Sequence, residues 1–209
     1  MENKYIYLTK AILAGIMIGI GGTIFLSVDN KIIGSCLFAI GLFIIVTRNL
    51  NLYTGKIGYL FDNKPSYIIE ILMTILGNFI GTFLVGYILK FTRIYELIHY
   101  KAIDLCLIKL DDNVISIFIL SIFCGMLMYL AVDGYKNGKD TFTKHASVFI
   151  CVIVFILCGF EHSIANMYYL SVADMINIKS LIYLLIMILG NAIGSFIFPI
   201  SSIIIKKLK

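Results

Sequence analysis

The chain has 209 residues, of which 60% are hydrophobic and only 14% charged, with a mean hydropathy of +0.99. A soluble domain of this size has no use for so much apolar surface, whereas each membrane span needs about twenty apolar residues in a row. The net charge of +5 fits a lysine excess beside anionic lipid and gives no reason to invoke nucleic acid.

In chain order, apolar runs cover 9–28, 31–47, 67–90, 113–132, 146–173 and 180–205. They predict an all-α membrane protein of six transmembrane helices, forming a single channel domain over 1–209. Lys4 and Lys10 precede the first run, but no small-residue cleavage site follows it, so it reads as a first span rather than a signal peptide. With the N-terminus inside, Lys4, Lys10, Lys56, Lys64, Lys136, Lys139, Lys144, Lys206, Lys207 and Lys209 fall on the cytoplasmic side. Lys31, Lys90, Arg93, Lys101, Lys109 and Lys179 fall outside. This excess places both termini of a multi-pass protein in the cytoplasm, the membrane being the plasma or inner membrane. The five cysteines show no paired spacing and read as reduced, buried thiols.

The stretch "ILGNFIGTF" (75–83) recurs nearly unchanged as "ILGNAIGSF" (188–196), 113 positions later. One copy lies in span three and the other in span six. Three spans per half force the halves, about 9–92 and 113–206, into opposite orientations across the bilayer. Such inverted repeats build transporters and channels whose pathway lies between the halves. The Gly-x-x-x-Gly spacing in each copy lets helices approach closely. Asn78 and Asn191 are expected to hydrogen-bond across the repeat interface.

If span three matches span six, span two matches span five. Span five is interrupted by "GFEHS" and span two by "TRNLNLYTGK" (47–56), with Thr54 and His162 lying 24 and 29 residues before their repeat asparagines. Two helices broken at matching positions are expected to line a midplane site, because non-helical backbone at that depth persists only where it borders a cavity or is buried in protein. His162 is the one histidine expected inside the membrane, and an ionisable group there is a functional candidate. Glu161, pointing elsewhere, is expected to accept hydrogen bonds from free backbone amides at the break. Asn166, one turn on, is expected to brace the same loop. Arg48 is open between snorkelling, pairing with a carbonyl and standing at a pore mouth. No second intramembrane histidine or Cys-x-x-Cys supports a metal or cofactor, and no Gly-x-Ser-x-Gly elbow occurs.

At "GFEHSIANM" (159–167) the sequence resembles the formate/nitrite transporter family. "AGIMIGIGG" (14–22), "NLYTGKI" (51–57), "GNFIG" and "GNAIG" extend the likeness over most of the chain. The resemblance implies an aquaporin-like protomer in a homopentamer, each protomer passing small monovalent anions. It places the family's central histidine on His162, its loop threonine on Thr54 and its vestibule lysine on Lys109. Its apolar constrictions fall on Phe38, Leu42, Leu52, Tyr53, Met128 and Phe155. Three departures stand out. Cys124 is followed by Gly125 where the family usually has Asn, removing an expected polar pore contact. Only about ten residues precede the first span, too few for an amphipathic N-terminal gate. Tyr53 brings a hydroxyl to a narrow point where Phe is common.

The mechanism expected from these residues has Lys109 attract the anion, while Thr54 and His162 donate hydrogen bonds to it. Protonation then lets the weak acid cross the apolar necks uncharged, the proton coming either from His162 or from vestibule water. Formate is the favoured substrate, with hydrosulfide next and nitrite within the same class. The competing readings are an aquaporin-like pore for neutral solutes, against which the absence of Asn-Pro-Ala boxes weighs, and an intramembrane enzyme using Glu161 and His162.

Overall fold

A computed structural model of the protein describes residues 3–208; Lys209, counted above with the basic tail, lies outside them. The described residues form helices α1 (Lys4–Ser27), α2 (Lys31–Thr47), α3 (Tyr53–Lys56), α4 (Tyr67–Leu89), α5 (Tyr95–Asp111), α6 (Val114–Asn137), α7 (Thr141–Leu157), α8 (Ser163–Val172) and α9 (Ile178–Leu208). A 3-10 turn follows α3 over Ile57–Asp62. Helices α1, α4, α6 and α9 are long and apolar enough to cross a membrane, while α2 and α7 are shorter apolar helices.

Local sequence accounts for where several helices begin. Asn30 accepts hydrogen bonds from the Ile32 and Ile33 amides, Asn113 from Ser116, and Asp140 from Thr143. Each thereby satisfies amides that a first helical turn leaves without intrahelical partners. The bonds from the Thr143 amide and hydroxyl hold the Asp140 carboxyl below its ordinary range.

Two helix pairs form the frame: α1 against α4, and α6 against α9. Their contact is backbone to backbone at glycines of the repeated motif. A Cβ on Gly81 would collide with the Ile12 carbonyl, and one on Gly194 with the Ile122 carbonyl. Position 125 belongs to the same set, since a Cβ there would strike the Asn191 carbonyl, as one on Gly15 would strike that of Asn78. Gly125 is therefore a packing residue facing α9.

Segment 93–112, which lies between the predicted spans, holds α5. Its charges (Glu96, Lys101, Asp104, Lys109 and Asp111) keep it from reading as a span, yet Ile98, Ala102, Cys106 and Leu110 recur every four residues and are all buried. That spacing is one face of a helix, and α5 lays it against α8.

Candidate functional site

Helices α2 and α7 end in the same way. Asn49 and Gly159 both take the left-handed conformation, with φ of 52° and 69°. In each, the next amide reaches back five residues, Leu50 to the Ile45 carbonyl and Phe160 to that of Phe155, both at 2.9 Å. The residue before bonds three back, Asn49 to Val46 and Gly159 to Ile156. This paired closure is a Schellman motif, which ends a helix while satisfying its last carbonyls. The chain then runs extended to Leu52 and His162, the N-cap positions of α3 and α8.

Two buried asparagines hold these linkers. Asn78 Oδ1 accepts from the Tyr53 amide at 2.9 Å, and its Nδ2 donates to the Ala11 and Asn51 carbonyls at 2.8 Å. Asn191 repeats the pattern with the Ser163 amide at 2.9 Å and the Ser121 and Glu161 carbonyls at 2.8 Å. All partners lie in the asparagine's own half of the chain, so the expected bonding across the repeat interface is replaced by a clasp within each half. Backbone that has left its helix thus keeps its donors and acceptors paired, as burial away from water requires.

The second linker carries the ionisable groups. His162 is buried, and its Nδ1 accepts from the Ala165 amide at 3.1 Å. A backbone N–H can only donate, so the neutral ring carries its proton on Nε2. That N–H lies 3.0 Å from Thr54 Oγ1 and donates to it, leaving the threonine hydroxyl proton free to be given elsewhere. Thr54 is fully buried, so the pair named from the sequence does come together, 108 residues apart in the chain. The register differs from the one expected. By the asparagine clasp His162 corresponds to Leu52, and Thr54 reaches it from the first turn of α3.

Glu161 does not cap backbone amides. Its carboxylate accepts both bonds of a forked contact from Lys109 Nζ, at 2.9 and 2.7 Å, and a third from Asn166 Nδ2 at 2.8 Å. Asn166 Nδ2 also reaches the His162 carbonyl at 3.0 Å. The pair is largely withdrawn from solvent, the Lys109 and Glu161 side chains being 13% and 4% exposed. This partnership was invisible in the sequence because 52 residues separate its members and no local pattern marks it.

Each linker borders a cavity. One of about 90 Å³ is bordered by His162, Phe155, Phe25, Lys109, Asn166 and Tyr169. The other, of about 270 Å³, is floored by Leu52, Ile45, Gly55 and Val132. Of the expected constriction residues, Phe155 borders the first cavity and Leu52 the second. The Phe155 ring lies 5.5 Å from the imidazole, and Phe38 meets it edge-on at 6.0 Å. Phe38, Leu42, Tyr53 and Met128 are buried and border neither cavity. The Tyr53 hydroxyl donates to the Ile188 carbonyl of α9 at 2.7 Å, so it is spent on packing rather than offered at a narrow point. Arg48 caps the end of α2 in an exposed position.

Comparison with known proteins places this arrangement. A family model described as Formate/nitrite transporter matches residues 2–204. A formate-nitrite transporter of Plasmodium falciparum (isolate 3D7) is 28% identical, the match covering 90% of this chain and 73% of the relative. An uncharacterized transporter of Bacillus subtilis (strain 168), YwcJ, is 26% identical over 79% of this chain and 72% of its own. Among solved structures, a pentameric formate channel with formate bound superposes with a TM-score of 0.82 at 22% identity, covering 99% of this chain and 98% of that one. An FNT family ion channel gives a TM-score of 0.79 at 20% identity, covering 94% and 88%.

Proposed function

Because the chain belongs to the formate/nitrite transporter family, we propose that it is a channel for small monovalent weak-acid anions, formate first among them, whose passage is assisted by a proton beside His162. The matching family and relatives are transporters and channels by name, and the chain is a membrane transport protein rather than an enzyme. The observation that carries the reading is the buried Thr54–His162 hydrogen bond at 3.0 Å, with His162 bordering one cavity and Leu52 and Gly55, of the segment that carries Thr54, bordering another. In this reading α2 with α3, and α7 with α8, are the two halves of broken spans. Together with α1, α4, α6 and α9 they make six spans in two inverted repeats, an aquaporin-like protomer with both termini in the cytoplasm of a plasma or inner membrane. The solved neighbour that is pentameric supports a homopentamer, and the formate bound to it supports formate over hydrosulfide or nitrite.

Apolar rings set the problem. Stripping water from a charge at Phe155 or Leu52 costs several kcal/mol, and protonating the anion removes most of that cost. The ring geometry favours one source for the proton. A second proton on His162 would have to sit on Nδ1, facing the Ala165 N–H that already points there. We therefore take His162 as a donor whose single Nε2–H is shared between Thr54 Oγ1 and the anion, with the free Thr54 hydroxyl proton as the second donation, and water of the smaller cavity as the proton source. Lys109 also borders that cavity, but Glu161 cancels its charge. It serves as a short-range donor and brace, in place of the long-range attraction the sequence suggested.

The test is His162→Phe in proteoliposomes loaded with a pH dye. Losing one hydrogen bond to a charged group, about 1.5–3 kcal/mol, should slow proton-linked formate uptake by roughly ten- to hundredfold. Uptake with unchanged rate and pH profile would remove His162 from the pathway.

A further inference from the structure

Helix α8 turns one face to the smaller cavity. His162, Ala165, Asn166 and Tyr169, spaced i, i+3, i+4 and i+7, all border it. The Asn166 amide is only half committed. Its Nδ2 donates to Glu161 Oε2 at 2.8 Å and to the His162 carbonyl at 3.0 Å. Both partners are acceptors, so the NH2 lies on their side and the oxygen is turned away from them. The residue is 2% exposed, and its Oδ1 has no hydrogen-bond partner among the described residues. A buried acceptor left unpaired is costly. Ser163 Oγ is in the same condition, but of the two residues only Asn166 borders this cavity. Tyr169 meets Phe25 and Tyr168 through its ring, and its hydroxyl has no hydrogen-bond partner among the described residues.

Charge gives an anion little reason to rest here. Lys109 borders the cavity with its ammonium forked onto Glu161. Lys31, the other cation on its wall, is exposed and donates to the Leu157 carbonyl at 3.2 Å. It also borders an outer cavity, where Lys31 and Lys101 stand with Asp29 and Asp104. A carboxylate can only accept, so beside Asn166 it would leave Oδ1 unpaired and face the negative end of the amide carbonyl. A neutral acid brings one donor and one acceptor. That is the complement of Asn166 Oδ1 and a hydroxyl donor.

We propose that the smaller cavity binds the neutral form of a small weak acid, with Asn166 Oδ1 accepting the acid's O–H and the Tyr169 hydroxyl donating to its other oxygen. Asn166 is thereby a specificity-determining residue, selecting the protonated form over the anion. The cavity of about 90 Å³ holds the equivalent of about three waters, which suits formic or nitrous acid. Binding of the acid stands on the cavity itself; its place on a permeation path rests on the transport reading.

The experiment is infrared difference spectroscopy of the full chain in detergent with carbon-13 formate, titrated from about pH 5 to about pH 7. The label separates the ligand's acid-carbonyl and carboxylate bands from those of the protein. Bound ligand should show the acid carbonyl. Its dissociation constant, reckoned on total formate, should rise about tenfold per pH unit, because the acid fraction falls by that factor. Nitrate, a similar anion without a proton to offer, should not displace it. Carboxylate bands from the bound ligand, an affinity flat in pH, displacement by nitrate, or no bound ligand at all would each overturn the site. Asn166→Leu should weaken binding about two- to tenfold and move the bound acid's O–H band to higher frequency, which loss of a brace alone would not do. Unchanged affinity and band would mean that a resident water partners Oδ1, and the assignment falls. Should that variant not fold, Tyr169→Phe decides: it should raise the acid-carbonyl frequency, and an unmoved band overturns the paired contact. Acid bound without weak-acid flux in proteoliposomes would keep the site and indict the transport reading, whereas flux with the site overturned would leave that reading standing.

Discussion

The linkers at 48–52 and 158–162 share one backbone design and differ in chemistry. Each starts with a left-handed residue, Asn49 or Gly159, runs extended, and is held by one asparagine making three buried bonds. At the position before the N-cap, the first linker has Asn51, whose side-chain amide donates to the Tyr7 carbonyl at 3.0 Å. The second has Glu161, paired with Lys109. At the N-cap itself, Leu52 faces His162. Unpaired peptide groups cost the same wherever they are buried, so the scaffold is duplicated. In the proposed reading a permeating solute meets its polar donors at one place, which accounts for buried ionisable side chains in the second linker only, Arg48 of the first being exposed.

The sharpest way to break this comparison is to remove charge from the second linker alone. Glu161→Gln leaves Lys109 buried without a counterion and should cost about 3–5 kcal/mol, read as a fall in thermal unfolding temperature in detergent. Lys109→Met on that background should recover most of it, since the stranded charge is then gone. Failure of that rescue would mean that the pair is not what holds α5 to α8.

The asparagines test the shared part. Asn78→Leu and Asn191→Leu each strand one amide and two carbonyls, at about 1 kcal/mol or more apiece, so each should lose roughly 3 kcal/mol of stability, and by similar amounts. A loss confined to Asn191→Leu would show that the two linkers are not held alike.

The sequence carried part of this design and hid part. The repeated "ILGN-IG-F" string marked both clasping asparagines and the glycines beneath them, and the polar stretches inside apolar runs marked both linkers. The partners of Asn78 and Asn191 stayed hidden because they are backbone groups, which leave no signature in residue identity. The match of His162 with Leu52 was obscured by spacing: His162 precedes its asparagine by 29 residues and Leu52 by 26, since the chain between the short helical segment and the asparagine runs over 173–190 in the second half and only 63–77 in the first. Helix α5 was missed because its charges masked a regular apolar face. The Lys109–Glu161 pair needed coordinates, since only α5 lying against α8 brings the two together.

The smallest expected effect separates the linkers at the residue after each N-cap, Tyr53 and Ser163, whose amides are held by Asn78 and Asn191. Their hydroxyls have opposite fates. Tyr53 donates to the Ile188 carbonyl at 2.7 Å, whereas Ser163 Oγ is buried with no protein partner. Deleting a hydroxyl that bonds a carbonyl loses about 0.5–1.5 kcal/mol, while deleting one left unsatisfied costs nothing or gains. Tyr53→Phe should therefore lower the unfolding temperature slightly, and Ser163→Ala should hold or raise it. Because the Tyr53 hydroxyl is committed to α9 and borders neither cavity, Tyr53→Phe should also leave the ranking of formate, nitrite and hydrosulfide fluxes unchanged. A reordered selectivity would return that hydroxyl to the pathway and make the first linker a chemical participant alongside the second.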